Sequence, residues 1–283
     1  MKISNFIRFP NFRLKAFTLS YDDGYRQDKR LVAIMNQYGL KGTFNINGGL
    51  VDDKCKGHMS MQEAYELYIP SGMEVAMHGY RHLALSKVDT ALAIEDIVAD
   101  RKILENSFGR VIKGMAYAEG AYNDEIIEFL KKIGVDWARI AGQSEKFDLP
   151  IDWRKWQGTC HHNNPRLMDL AKEFVEQQIE SLYLWNRKLQ IFYLFGHSFE
   201  FDNDDNWNVI ESLAEYVGNR EDIWYATNGE IFEYLQATQH LQFSMDGGFV
   251  KNPTSTDIYI DYLDKKCVVP AGKTVKTDNG EIF

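Results

Sequence analysis

The stretch TLSYDDGY, residues 18–25, places two adjacent carboxylates at the end of a short apolar run. The run is 16–19, and Asp22, Asp23 and Gly24 follow it closely. Asp-Gly is common turn chemistry, so a turn alone is the simplest interpretation. Two like charges at the end of a buried strand nevertheless need a physical reason, which the rest of the sequence has to supply.

Outward from this stretch, short apolar runs alternate with amphipathic helical patterns about seven times. The runs include AFTLSY, GTFNING, MEVAMHG, GMAYAEG, KWQGTCHH, LQIFYLFGHS and DIWYATNG. The helical patterns cover residues 28–38, 61–68, 89–107, 123–133, 165–186, 206–218 and 229–237. Repeated alternation of strand and helix predicts a parallel α/β architecture, either a barrel or a doubly wound sheet.

The alternation ends near residue 238, and a different pattern follows. Residues 240–283 contain Gly-Gly, Asn-Pro, Pro-Ala-Gly and the alternating run DIYIDYL. This pattern is typical of short β-strands joined by turns, without helices. We therefore predict an α/β unit over residues 1–239 and a small β-rich C-terminal appendage over residues 240–283.

Composition excludes several classes of partner. The chain of 283 residues has a net charge of −9 and no long basic run, so nucleic acid and anionic membrane are poor partners. No apolar stretch is long enough to span a bilayer. The N-terminus lacks the apolar core of a signal peptide, which predicts a cytoplasmic protein, or a secreted one if a signal peptide has been removed.

Chemistry-bearing residues follow several of the apolar runs. In parallel α/β folds, functional groups gather at the carboxyl ends of strands, where Asp22, Asp23, His78, His82 and His197 are all expected. The i, i+4 spacing of His78 and His82 lets both imidazoles bind one metal ion, and an aspartate would complete a three-ligand site. Because adjacent strand residues point to opposite sides, one aspartate would bind the ion and the other would face substrate or water.

TLSYDDG, MHGYRH and LFGHS resemble, in this order, three motifs of the polysaccharide deacetylase (NodB-homology) family, carbohydrate esterase family 4. The resemblance spans residues 16 to about 235. It implies a distorted (β/α) barrel of about seven strands, which makes residues 1–239 the catalytic unit. It also implies a divalent metal cofactor, usually zinc, with cobalt, nickel, manganese and iron as alternatives, and an acetylated oligo- or polysaccharide as substrate.

The resemblance also implies roles for individual residues. Asp23, His78 and His82 would bind the metal, Asp22 would be the general base and His197 the general acid. The implied reaction removes an N-acetyl group, or an O-acetyl group, from a carbohydrate with a metal-activated water.

The third motif departs from the family pattern. The family has Arg-Pro-Pro-Tyr-Gly, whereas residues 116–120 read AYAEG, so Ala116 falls at the arginine position and Glu119 at the tyrosine position. In the family this arginine holds the base. We predict that Arg139, on the next strand, substitutes for it beside Asp22. The backbone N–H of Glu119 is expected to serve the oxyanion, and its side chain either selects a cationic or small polar substrate or is a solvated loop residue.

Further residues are assigned to substrate binding or orientation. DLPIDW resembles a shifted fourth motif, in which Trp153 would wall the groove and Asp152 would orient Arg139. Tyr122 lies just after the third motif. Glu200 or Asp202 is placed to fix the tautomer of the acid histidine, and the alternative is a solvated acidic loop.

Three alternatives stay open at this point. The degenerate third motif would suit a non-catalytic carbohydrate-binding protein, although retention of both acid and base disfavours it. A hydrolase of a non-peptide carbon–nitrogen bond in a small molecule would use the same fold. Two histidines and one carboxylate also suit an Fe(II) oxygenase, but the adjacent second aspartate and the α/β alternation favour hydrolysis.

Overall fold

The computed structural model describes residues 6–51, 57–179, 183 and 186–283. The strands are β1 (Ile7–Arg8), β2 (Lys15–Asp22), β3 (Gly42–Ile46), β4 (Glu74–Met77), β5 (Gly114–Ala116), β6 (Trp137–Gln143), β7 (Trp156–Gly158), β8 (Cys160–His161), β9 (Gln190–Gly196), β10 (Ile223–Tyr225), β11 (Gln242–Phe243), β12 (Phe249–Lys251), β13 (Ile258–Tyr262), β14 (Lys265–Val269) and β15 (Thr274–Lys276). The helices are α1 (Asp28–Gln37), α2 (Met61–Tyr68), α3 (Thr90–Phe108), α4 (Asp124–Lys132), α5 (Leu167–Glu176), α6 (Glu200–Asn203), α7 (Trp207–Val217) and α8 (Asn228–Thr238).

A parallel sheet curls into a nearly closed barrel. Strands β2 to β6 pair in parallel in chain order, and β2 also pairs in parallel with β9. Strand β7 pairs with β6 and β8 pairs with β9, while only Thr159 separates β7 from β8. Residues 156–161 therefore join the two edges of the sheet. This architecture confirms the predicted distorted (β/α) barrel.

Strand alternation sorts the side chains of β2 between two cores. Phe17, Leu19 and Tyr21 belong to the apolar cluster that includes the buried faces of the helices. Ala16 belongs to a second cluster with aromatic side chains of β6, β7 and β9 inside the barrel. Because successive residues of a strand point to opposite faces, this pattern turns Asp22 toward the barrel interior.

The predicted helical patterns correspond to helices, and local caps explain where several begin. Ser60 and Thr227 each form a capping box with the glutamate three residues later. Asn123 accepts a hydrogen bond from the N–H of Ile126, as the Asn-Asp-Glu pattern there suggests. The pattern over residues 165–186 predicted too long a helix, because α5 ends at Glu176 and the next residue is extended. Within the described ranges, no helix has the length and apolar character needed to cross a bilayer.

The C-terminal segment forms antiparallel sheet, as predicted. Strands β13 and β14 pair with each other, and β12 lies between β11 and β15. Strand β1 joins this region, because it pairs antiparallel with β13, with Ile7 opposite Ile260. The β1 strand directly precedes the start of β2 at Lys15, whereas Asp22 ends β2 roughly 23 Å further along. The appendage therefore packs at the end of the barrel opposite Asp22, and the domain boundary near residue 240 stays a prediction.

A half-buried carboxyl group lies at the appendage end of the barrel. Glu74 accepts hydrogen bonds from the hydroxyl of Thr43 at 2.7 Å and from the N–H of Gly229 at 2.8 Å. Burial raises the pKa of Glu74 to about 7, although these two hydrogen bonds act in the opposite direction. The pKa rises because these neutral donors only partly offset the cost of burying the charged carboxylate.

We expect Glu74 to make folding stability depend on pH. Because its folded-state pKa of about 7 lies above the ordinary value of 4.5, the folded chain holds this proton more tightly than the unfolded chain. The resulting stabilisation is fully present below pH 4.5 and is lost as the pH rises through about 7. Relative to Glu74→Gln, the wild-type free energy of unfolding should therefore fall by about 1–3 kcal/mol over this range. Urea unfolding at several pH values measures the difference, and parallel profiles would contradict the expectation.

Candidate active site

The loops that follow β2, β4 and β9 bring five of the predicted side chains together. Nε2 of His78 lies 3.8 Å from Oδ2 of Asp22 and 3.6 Å from Oδ1 of Asp23. Nε2 of His82 lies 3.7 Å from the same Asp23 oxygen. Nε2 of His197 lies 3.9 Å from Oδ2 of Asp22 and 4.0 Å from Oδ2 of Asp23. These residues, distant in sequence, thus converge at the carboxyl end of the barrel.

A left-handed turn, and not strand alternation, sets the second aspartate. Asp22 is the last residue of β2, and Asp23 has φ +76°, followed by Gly24 at +72°. The N–H of Asp23 donates to the carbonyl of Asn45 at 2.9 Å, which anchors the turn. A non-glycine residue in this region carries backbone strain. The turn brings both carboxylates to the same histidines, whereas a straight strand would have separated them.

The donor set of Asp23, His78 and His82 fits a divalent metal ion. Nδ1 of His78 lies 2.8 Å from the carbonyl oxygen of Ala116, and since a carbonyl only accepts, Nδ1 carries the proton. Nε2 therefore presents a lone pair to the carboxylate of Asp23. Oδ1 of Asp23 is buried and has no hydrogen-bond partner among the described residues. The three ligand atoms lie within 4.8 Å of one another, so a cation between them would satisfy the lone pairs.

Asp22 lies in a different electrostatic environment from Asp23. Asn45 donates to Oδ1 of Asp22 at 2.8 Å, and the Arg139 guanidinium forms a short ion pair with Oδ2. Burial by itself would raise the pKa of Asp22, but Arg139, followed by His78 and His197, outweighs burial and lowers the pKa to about 2. Asp22 is therefore held ionised and oriented by its neighbours.

Arg139 lies in the position predicted for a substitute cation. In the pairing of β5 with β6, Ala116 is the register partner of Arg139. An arginine is therefore present on the neighbouring strand, at the same level of the barrel as residue 116. The Arg139 side chain is buried, with its guanidinium carbon 4.7 Å from the centre of the Phe195 ring. Packing against this ring and pairing with Asp22 both fix its orientation.

Glu200 connects the candidate acid to two further histidines. Its Oε1 lies 3.2 Å from Nδ1 of His197, and its Oε2 lies 3.2 Å from Nε2 of His161 and 3.0 Å from Nε2 of His162. Burial acts to raise the pKa of Glu200, but the three imidazoles hold it well below its usual range. Burial likewise acts to lower the pKa of His197, yet Glu200 and the two aspartates raise it overall. This arrangement favours a protonated His197 whose Nε2 faces Asp22 and Asp23.

Two predicted residues lie on the rim. Glu119 has φ +55°, and its carboxylate pairs with Nζ of Lys87 at 2.9 Å on the exposed surface. The ring of Tyr122 stacks on that of Tyr117 with centroids 5.1 Å apart. The hydrogen bond with Lys87, and to a smaller extent the charge of His82, lower the pKa of Glu119. Tyr122 has no described contact with the aspartates or histidines of the site.

The structure does not bring the residues of the shifted fourth motif to Arg139. The carboxylate of Asp152 accepts a hydrogen bond from the N–H of Arg154 at 2.9 Å and caps a short 3₁₀ turn. Trp153 packs edge-on against Trp156 and Phe232, with ring centroids 4.9 and 5.2 Å apart. Asp152 therefore stabilises a turn, and Trp153 packs in an aromatic cluster.

Sequence reasoning missed two asparagines of β3 and the loop after it. Besides Asp22, Asn45 contacts the hydroxyl of Ser20 at 2.8 Å. Nδ2 of Asn47 donates to the carbonyls of His78 and Gly79 at 2.8 and 2.9 Å. The signal was present in GTFNING, because the two asparagines are two residues apart and so share the inward face of the strand.

The comparison with protein families agrees with the motifs. Residues 11–138 match the family model described as polysaccharide deacetylase, a span of under half of the 283 residues that includes the DDG and HGYRH segments. This match confirms the resemblance to the polysaccharide deacetylase family seen in the sequence. A search of curated proteins found no match.

Solved structures share the fold at low identity. PuuE allantoinase is similar with a TM-score of 0.60 and 14% identity, covering 81% of this chain and 93% of that chain. A polysaccharide deacetylase described as putative, from Mycobacterium smegmatis, has a TM-score of 0.58 and 16% identity, covering 83% and 94%. The Xyl-CE4 domain of a multidomain xylanase from the hindgut metagenome of Trinervitermes trinervoides has a TM-score of 0.54 and 16% identity, covering 80% and 92%. These likenesses establish the barrel fold.

Removing the Arg139 cation should raise the pKa of Asp22, because burial then meets weaker opposition. In Arg139→Met, which keeps an unbranched apolar stem, we expect the pKa to rise from about 2 by at least one unit. Carboxyl carbon NMR titration of the metal-free protein measures it. Arg139→Lys keeps a positive charge and is the matched control, with a smaller rise expected. An unchanged pKa in Arg139→Met would show that the ion pair does not set the ionisation of Asp22.

Proposed function

We propose that this protein is a metal-dependent hydrolase that removes acetyl groups, N-acetyl in the first place and also O-acetyl, from an oligo- or polysaccharide. The supporting observation is the convergence of Asp22, Asp23, His78, His82 and His197 at one end of the barrel. The chain also matches the polysaccharide deacetylase family model over residues 11–138. This set provides a metal site, an acid and a base within reach of one bound group.

Asp23, His78 and His82 would hold the metal ion. Zinc suits one carboxylate and two imidazoles, and cobalt, nickel, manganese or iron accept the same donors. When bound, such an ion polarises the acetyl carbonyl and lowers the pKa of a water molecule.

Asp22 is proposed as the general base. Its ionised carboxylate, held by Arg139 and Asn45, accepts a proton as the water oxygen attacks the carbonyl carbon. The backbone N–H of Glu119 is proposed to donate to the developing oxyanion. The carbon–nitrogen bond then breaks, and acetate and a free amine leave.

His197 is proposed as the general acid. Its Nδ1 faces Glu200, so the proton that it delivers to the leaving nitrogen lies on Nε2, which faces Asp22 and Asp23. Glu200 and the two aspartates raise the pKa of His197, which favours this protonated form.

A second candidate is hydrolysis of a non-peptide carbon–nitrogen bond in a small polar molecule. It is favoured by the third motif, where a Glu119–Lys87 pair stands at the rim in place of the family's tyrosine. The barrel also resembles that of PuuE allantoinase, a protein named for activity on allantoin.

One experiment separates these functions. Purified protein is analysed for bound metal by mass spectrometry and then assayed for acetate release from chitooligosaccharides, peptidoglycan fragments and acetylated xylan. Allantoin is assayed in parallel for carbon–nitrogen hydrolysis. Acetate release from any of the sugars supports the first proposal, whereas allantoin turnover alone supports the second. Metal-loaded protein that turns over none of these but binds the sugars would indicate a carbohydrate-binding protein.

Substitutions should separate the base from the metal ligands. Asp22→Asn keeps the size of the side chain and should retain metal within about threefold, while hydrolysis falls about 10²–10⁴-fold because the base is lost. His78→Ala should lose both metal and hydrolysis. Metal content and acetate release are measured on the same preparations. Full activity of Asp22→Asn would refute the base assignment.

Glu200 should set the alkaline limit of activity. Because Glu200 raises the pKa of His197, Glu200→Gln should lower that pKa, and the alkaline limb of the kcat profile should move to lower pH. His161→Gln leaves the contact between Glu200 and His197 intact and should shift the limb less. An unmoved limb in Glu200→Gln would mean that another group limits activity at high pH.

A further inference from the structure

Two buried carboxylates on helix α3 are aimed at the loop that carries the histidine ligands. Asp96 and Asp100 are both fully buried and lie one helical turn apart on the same face. A buried carboxylate is costly unless hydrogen bonds compensate it, and apolar residues would have sufficed to pack this face. Their hydrogen-bond partners are N–H groups of segment 78–82 and of the loop after β3.

Asp100 binds main-chain groups at both ends of its carboxylate. Oδ2 accepts hydrogen bonds from the N–H groups of His78 at 3.0 Å and Gly79 at 2.8 Å. Oδ1 accepts from the N–H of Gly48 at 2.7 Å. Since Asn47 already holds the carbonyls of His78 and Gly79, both polar sides of these peptides are fixed. The backbone beneath the first ligand therefore has little freedom to rotate.

Asp96 fixes the residue that precedes the second ligand. Its Oδ1 accepts from both the N–H and Nε of Arg81, each at 3.0 Å. His82 follows with φ +55°, a conformation that non-glycine residues rarely adopt without external support. Oδ2 of Asp96 lies 2.9 Å from where a Cβ on residue 79 would be, which explains a glycine there. Asp96 thus occupies the inside of the turn.

We propose that Asp96 and Asp100 are positioning residues that preorganise His78 and His82 for the metal before it binds. They touch neither the ion nor the substrate, and they act through the N–H groups of His78, Gly79 and Arg81. Without them the segment would have to be ordered by the metal itself, which would weaken binding. Partners of this outer kind typically change metal affinity 10–100-fold. The inference rests on the proposed metal site.

Metal affinity measured apart from activity tests the proposal. Zinc binding to full-length wild type, Asp100→Asn and Asp96→Ala is measured by competition with a chromophoric chelator, and folding of each metal-free protein is checked by circular dichroism and urea unfolding. Asp100→Asn replaces an acceptor with a donor that faces N–H groups. Asp96→Ala removes the hydrogen bonds to Arg81 and places alanine, the best helix former, at that position. This variant is therefore expected to fold.

The matched control is Glu95→Gln, on the same helix. Glu95 is an exposed partner of the same Arg81 side chain, so its loss should change zinc affinity less than twofold. We expect at least tenfold weaker zinc binding in folded Asp100→Asn and in folded Asp96→Ala. We also expect altered visible absorption of bound Co(II), which reports ligand geometry.

Zinc affinity within twofold of wild type in folded Asp96→Ala overturns the proposal, and this variant decides the matter if Asp100→Asn does not fold. Failure of the wild-type protein itself to bind zinc or cobalt would instead refute the metal site under the proposed function. The two failures are therefore distinguishable.

Discussion

The parallel pairing of β2 with β3 on one side and β9 on the other sets the position of the reactive groups. In this register Asp22 is level with Asn45, and Tyr21 is level with Gly196, the residue before His197. A shift of one residue in either pairing would turn the inward side chains outward. The buried apolar residues on the outer face of β2 prevent such a shift, because they pack against the helices.

This constraint allows many like charges to share a small volume. Asp22 and Asp23 are adjacent. Glu200 is linked to them through His197, which lies close to both Asp22 and Glu200. Each carboxylate has a different partner: Arg139 for Asp22, a candidate metal site for Asp23, and imidazoles for Glu200. Charge is therefore neutralised locally, although the chain as a whole has a net charge of −9.

Much of the barrel could be predicted from the sequence, because strand and helix periods and caps are local signals. The clustering of Asp22, His78, His82 and His197 could be predicted as well, since strand ends of a parallel sheet meet at one edge. Other features depend on contacts that no local pattern reveals. Asp152 matches a motif position in the sequence but caps a turn in the structure. In the sequence, Asp100 cannot be told from any other polar residue of an amphipathic helix, because its role depends on contact with the loop after β4. Asp-Gly predicted a turn after β2, but not the left-handed conformation of Asp23 itself, which a hydrogen bond to the carbonyl of Asn45 supports.

The register of β5 with β6 bears on how the third motif is interpreted. Ala116 and Arg139 are level with each other on neighbouring strands, and the Arg139 guanidinium pairs with Asp22. The linear motif offers only Ala116 at the arginine position, whereas the sheet supplies a cation beside the carboxylate from the next strand. Residues that pair across strands therefore describe this site better than the letters of the motif alone.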